Sequence, residues 1–246
     1  MRVAELTWRE YQELVARRVL VLPIGAIDGH GPHLPLSTDT VIASYIVDAL
    51  ASHLDVLRLP AIPYGQRTDP PASGGQFPGV TNLRGSTLTD VVLDVLRASY
   101  RHGGRRFLIL DSHMANTGAV RESVYLFLDA APEARVMVAA WWDLVSEDTR
   151  NAIARETGVG RQDDHHAAMV ETSLAMYAAP DLVRHDLIGD DSAPRRARYL
   201  VMPTPDALKT RSGVVYRVGR PSLAIGERLM TEIIANLVEA VKLELP

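Results

Sequence analysis

The chain has 246 residues, 47% of them hydrophobic, a formal net charge of −4 and no cysteine. The length supports one domain with a sizeable core, and the mild acidity gives no electrostatic reason to bind nucleic acid or an anionic membrane. Without thiols, disulfides, thiolate nucleophiles and cysteine zinc sites are excluded, which leaves imidazole and carboxylate as the strong metal ligands. The opening stretch MRVAELTWREYQELVARR is charged and amphipathic, unlike a signal peptide, and no apolar run reaches the length of a membrane span. The expectation is a cytoplasmic protein with one domain over residues 1–246.

In chain order, Thr7 and Glu10 form a capping box that opens a helix expected to end near Arg18. Val19 to Ile24 is a continuous apolar run, read as a buried strand. The stretch PIGAIDGHGPHLPLSTDT, residues 23–40, follows at once, so its side chains emerge where that strand ends. Thr38 or Asp39 is expected to cap a second helix over residues 40–54, followed by a short strand in VLRLPAIPYG. Residues 67–84 are rich in Gly and Pro and too long for a tight connection, which makes them a lid-like binding loop. A helix from Thr87 to His102, the strand RRFLILDSH, a helix from Asn116 to Leu128 and the strand ARVMVAAWW continue the alternation. Such alternation predicts a three-layer α/β/α sandwich with a mainly parallel sheet. Near the end, a Gly-turned hairpin or loop precedes a closing amphipathic helix.

Five of the eight histidines fall in three segments: His30 and His33, then His113, then His165 and His166. Asp28 and His30, two apart, leave the same face of an extended segment, and Asp39 lies past a turn from which it can fold back. His113 leaves the end of a different strand, and strand ends are where open α/β sheets hold their sites. Imidazole with carboxylate suits zinc, manganese or ferrous iron. A carboxylate shared by two ions would make a binuclear centre. Blander readings stand beside this one. Asp39 can be a helix cap, and His33 a packing or hydrogen-bonding residue. Asp111 reads as structural. His165, His166 and Glu171 read as one helix face, active or merely salt-linked. Trp141 and Trp142 read as core and pocket wall, and Arg67 and Arg84 as binders of a substrate carboxylate or phosphate unless simply solvated.

The stretch LPIGAIDGHGPHLPLSTDT resembles the signature of the creatininase family, P-x-G-S-x-E-Q-H-G-P-H-L-P-L-x-T-D. The resemblance continues through LTWREYQEL, FPGVTNL, DSHMANTGA in place of N-G-H-G-G-N, HHAAMVETS in place of H-A-G-x-x-E-T-S, and SGVVYRVGRPSLAIGERL. It implies an α/β sandwich and a homo-oligomer, often a hexamer. It also implies one or two divalent ions (zinc, manganese or iron) per chain at Asp28, His30, Asp39 and His113, with Asp39 as the bridge and Glu171 as a further ligand. The implied activity is hydrolysis of a carbon–nitrogen bond in a cyclic amide or formamide through a metal-activated water. His166 is the implied proton shuttle, with His165 sharing that role. The family also admits a peptide precursor, or a carbon–carbon bond in a cyclic diketone such as an oxidised inositol, as substrate, and a non-catalytic metal-binding member is a further alternative. Three departures matter. The usual Glu is Asp28, the Gln beside it is Gly29, and Ala115 stands where the family's namesake carries a ligand Glu. Creatinine is therefore not the expected substrate, and a one-ion site follows if Asp28 falls short.

Overall fold

A computed structural model describes residues 1–68, 75–190, 199 and 201–246. The capping box forms as the sequence requires: Thr7 and Glu10 bond reciprocally at the start of α1, Trp8–Leu14. The helix stops short of Arg18 because Arg17 N already bonds Leu14 O in a tighter turn, which redirects the chain into the sheet. Four strands follow, β1 (Val19–Ile24), β2 (Val56–Arg58), β3 (Arg106–Asp111) and β4 (Arg135–Ala140). They form a parallel sheet in the order β2-β1-β3-β4.

Because strand side chains alternate in direction, β1 and β3 serve two cores at once. Leu20, Leu22, Ile24, Phe107 and Ile109 meet α3 (Gly85–Arg101) and α4 (Thr117–Leu128) on one face. Val21, Leu108 and Leu110 meet α2 (Thr38–His53), α6 (Met169–Ala178) and α7 (Leu223–Glu244) on the other. Helices on both faces of a parallel sheet make the three-layer α/β/α sandwich that the alternation predicts. The α7 helix presses closely on α6: a Cβ at Gly226 would stand 2.0 Å from the Ser173 carbonyl, so only glycine fits there. Between β4 and α6 lies α5 (Glu147–Thr157), closed by Gly158 in the left-handed conformation (φ 71°).

Several local expectations are corrected. Ser37, not Thr38 or Asp39, occupies the cap position of α2 and makes no side-chain cap bond. Thr38 donates instead to Pro35 O, and Asp39, in the first turn, is drawn toward two histidines. The strand after α2 is only three residues long, since the prolines that follow cannot donate to a ladder. His165 and His166 lie on a short strand, β5 (Asp164–His166), not on one helix with Glu171, which belongs to α6. β5 pairs antiparallel with β6 (Val215–Tyr216), so of the hairpin or loop expected near the end, the described residues form the loop, and the strand's partner is distant in sequence. The lid-like loop falls partly outside the described residues, at 69–74. Among the described residues, no helix is long and apolar enough to cross a membrane.

Candidate metal centre

The order of the strands fixes where a site can form. From β1 the chain runs to β2 on one side, while β3 lies on the other, with Ile24 opposite Asp111 at the carboxyl ends. Loops leaving β1 and β3 therefore diverge and open a crevice at the switch point. Asp28 and His30 come from the loop after β1, Asp39 from the start of α2, His113 from just beyond β3, His166 from the end of β5 and Glu171 from the first turn of α6. Gly25 lets the first loop lie against α2, since a Cβ there would meet Thr40 N at 2.4 Å.

The two carboxylate oxygens of Asp39 face two different histidines. Oδ1 is 3.1 Å from His30 Nε2, which is also 3.7 Å from Glu171 Oε1. Oδ2 is 2.8 Å from His113 Nδ1, which is also 4.0 Å from Asp28 Oδ2. Two ligands of one tetrahedral zinc ion stand roughly 3.4 Å apart, given bonds near 2.0–2.2 Å, so both groups have the spacing of a coordination shell. The other nitrogen of each ring settles its tautomer. His30 Nδ1 lies 3.2 Å from the Asp28 carbonyl and His113 Nε2 lies 3.2 Å from the Gln66 carbonyl. A carbonyl can only accept, so these nitrogens carry the hydrogens, which leaves lone pairs on Nε2 of His30 and Nδ1 of His113, each close to a carboxylate oxygen. Lone pair against lone pair is satisfied only by a cation or a proton. A second N–H held by a carbonyl is also the usual support of a metal-ligating histidine.

The electrostatics agree. Burial opposes charge on His30 most strongly, but Asp39 and Glu171 overcome it and raise the ring well above its usual pKa. His113 is raised in the same way, against burial, by Asp39. Burial would push Asp39 and Glu171 up, yet the facing imidazoliums hold both below the ordinary carboxylate range. Asp39 Oδ2 is buried and has no hydrogen-bond partner among the described residues, although His113 Nδ1 stands 2.8 Å from it. The donor set, its spacing and this orphaned oxygen fit divalent ions.

A sequence model of the creatininase family, described as creatinine amidohydrolase, matches residues 4–241. The chain belongs to the creatininase family. It is 31% identical to the creatinine amidohydrolase of Pseudomonas putida over 252 aligned residues, covering 99% of this chain and 97% of that one. It is 26% identical to the mycofactocin precursor peptide peptidase of Mycolicibacterium smegmatis, covering 91% and 84%. A solved manganese creatininase superposes with a TM-score of 0.93 at 30% identity, covering 100% of this chain and 98% of that one.

In this creatininase-family chain, a cavity of about 360 Å³ opens onto the centre and is lined by Arg67, Thr68, Met114, Ala115, Trp141, Trp142, His165 and His166. The paired tryptophans leave β4 in a short 3-10 turn, with ring centroids 5.5 Å apart. Arg84 does not reach the cavity, contrary to expectation. It occupies the cap position before α3, with its side chain exposed.

His166 sits beside His30, centroids 4.2 Å apart, with Nε2 donating to Gly29 O at 2.8 Å. Burial and neighbouring His30 lower its pKa, so the ring is neutral, with the Nδ1 lone pair 3.9 Å from Glu171 Oε2. The ligand atoms of His30, His166 and Glu171 all lie within 4.8 Å of one another. Ala167, held at φ 51°, turns the chain so that its own N–H bonds Glu171 Oε2 at 2.7 Å and leaves Oε1 for His30. His33 is not among these groups. Its Nε2 bonds Thr172 Oγ1 at 2.9 Å, tying the first loop to α6, and burial lowers its pKa to about 4.

Residues that sequence reasoning missed include Gln66 and Thr68, which hold His113, and Asn116, which accepts from Gln66 N and donates to Asp111. An isolated Thr or a backbone carbonyl in an irregular loop leaves no pattern to find. Asn116 has a weak signal as the last residue of the turn motif around His113.

Proposed function

We propose that this chain is a metal-dependent hydrolase that cleaves the carbon–nitrogen bond of a small cyclic amide or formamide at a centre for two divalent ions. The observation that carries the reading is the division of Asp39, one oxygen to His30 and one to His113. Asp28 and His113 would hold one ion, His30 and Glu171 the other, and Asp39 both. A divalent ion held there supplies Lewis acidity, acidifying water and polarising a carbonyl.

The chain's own groups do the rest. His166 presents a neutral Nδ1 lone pair beside the centre, while its Nε2–H, fixed on Gly29 O, holds the ring in place. It takes a proton at Nδ1 from the attacking water and returns it to the leaving nitrogen, a transfer suited to imidazole. His165, at the rim of the same cavity, serves as a relay to solvent. Trp141 and Trp142 give the substrate an apolar wall and exclude bulk water, and Arg67 meets a carboxylate or phosphate at the cavity mouth.

The names of two relatives, an amidohydrolase and a peptidase, favour carbon–nitrogen over carbon–carbon cleavage. Creatinine itself is disfavoured by Ala115, which offers the cavity no carboxylate. Product analysis on a panel of formamides, lactams and cyclic diketones tests the reading. Released amine or formate supports it. A ring-opened keto acid as the only product would replace it with carbon–carbon hydrolysis, and no turnover with ions bound would leave a non-catalytic metal protein.

A further inference from the structure

The acid at position 28 is one methylene shorter than the glutamate of the family signature, so its carboxylate needs some other means of being held toward an ion. The structure places one hydroxyl on it. Thr68, 6% exposed, donates from Oγ1 to Asp28 Oδ2 at 3.0 Å, and the same Oγ1 lies 3.0 Å from His113 Nε2. The proton count is unambiguous in direction. Asp28 can only accept and takes the hydroxyl hydrogen, while His113 Nε2 carries one hydrogen, shared between the Gln66 carbonyl and a lone pair of Oγ1. One side chain thus joins the acid and the imidazole of a single half-site from behind.

The strap that carries Thr68 is itself pinned before it reaches the centre. Arg67 N bonds Leu83 O at 3.1 Å and Leu83 N bonds Gly65 O at 2.9 Å. Gln66 N bonds Asn116 Oδ1 at 2.8 Å, and Asn116 Nδ2 reaches Gly25 O at 3.2 Å and Asp111 Oδ1 at 3.0 Å. These bonds link the strap to the ends of β1 and β3, from which Asp28 and His113 also come. The position of Oγ1 is therefore set by the framework rather than by a free loop.

We infer that Thr68 is the positioning residue of the Asp28–His113 half-site, holding the shortened acid and the imidazole in ligating orientation through its single hydroxyl. The inference rests on the two-ion reading above. It does not extend to the His30–Glu171 half, which Thr68 does not touch in any bond described.

The test is a titration of chelator-stripped protein with Co²⁺, followed by calorimetry and by the visible ligand-field spectrum, for the wild type and three variants. Thr68→Val keeps the shape and removes the hydroxyl, Thr68→Ala is a second hydroxyl-free variant should valine not fold, and Thr68→Ser restores the hydroxyl. The expected result is that one of two ions binds roughly 10- to 100-fold more weakly in the hydroxyl-free variants, with an altered spectrum for that ion alone. Serine should return both affinity and spectrum toward the wild type. Two ions bound with wild-type affinity in a folded Val or Ala variant would overturn the inference, as would equal weakening of both ions or a Ser variant as weak as Val. A wild type that binds no Co²⁺ would instead overturn the metal-centre reading on which this inference depends.

Discussion

Asp39 Oδ2 stands 2.8 Å from His113 Nδ1, yet no hydrogen bond among the described residues satisfies that buried oxygen, while Oδ1 of the same carboxylate meets His30. In the proposed two-ion centre, a side chain in that position would serve both halves. Asp39→Asn keeps the size and removes the charge, so it should lose both ions together and all hydrolytic activity with them. Metal content after dialysis checks this, and loss of only one ion would show that Asp39 does not bridge.

Ion binding should release protons. His30 and His113 are raised above the usual histidine pKa by facing carboxylates, against the opposing pull of burial, so in ion-free protein both rings hold their protons to higher pH than free histidine does. An ion must displace those protons, so apparent affinity should increase as pH rises through the neutral range and level off once the ion-free rings are deprotonated. Calorimetry in buffers of different ionisation enthalpy counts the protons released. A binding constant that does not change with pH would contradict the arrangement.

His166 faces the Glu171 oxygen already occupied by Ala167 N–H, and the proposal makes it a proton carrier rather than a ligand. His166→Gln should therefore retain both ions while kcat falls by about 10²–10⁴-fold, the usual range for losing an acid–base group. Paired kinetics and metal content decide the role. Loss of an ion in this variant would make His166 a ligand instead.

Asp164 is a stability group outside the ion shell. Burial raises its carboxyl to about 7, only partly offset by the Val170 N–H that it accepts at 3.1 Å and by Arg150. Between the ordinary 3.8 and about 7 the folded state holds a proton that the unfolded state has released. Stability from this group is thus complete below pH 4 and lost as pH rises through 7, by on the order of a few kcal/mol. Asp164→Asn should flatten that loss, making ion-free protein more stable than wild type at pH 8 and no more stable at pH 4. Urea unfolding at both values checks it.

Much of this was legible in the sequence, and for identifiable reasons. Val19–Ile24 and Arg106–Asp111 are read as strands because apolar runs of that length have few other fates, and their alternation with helices gives the layers. Asp28, His30 and His113 stand at strand ends, so the crevice follows from topology. Other residues were hidden because their partners are remote in sequence. His166 and Glu171 look like one helix face, but β5 forms only through pairing with β6, and Ala167 turns the chain between them. Thr38 and Asp39 look like helix caps until the third dimension brings His30 and His113 beside Asp39. The exposed position of Arg84 and the hydroxyl of Thr68 depend on how the loop after β2 is pinned, which no local pattern records.

The most direct test of the two-ion centre is the metal content per chain of protein purified without chelator, by elemental analysis against quantitative protein concentration. The account expects about two divalent ions per chain, both lost in Asp39→Asn. One ion or none per chain in the wild type would contradict it.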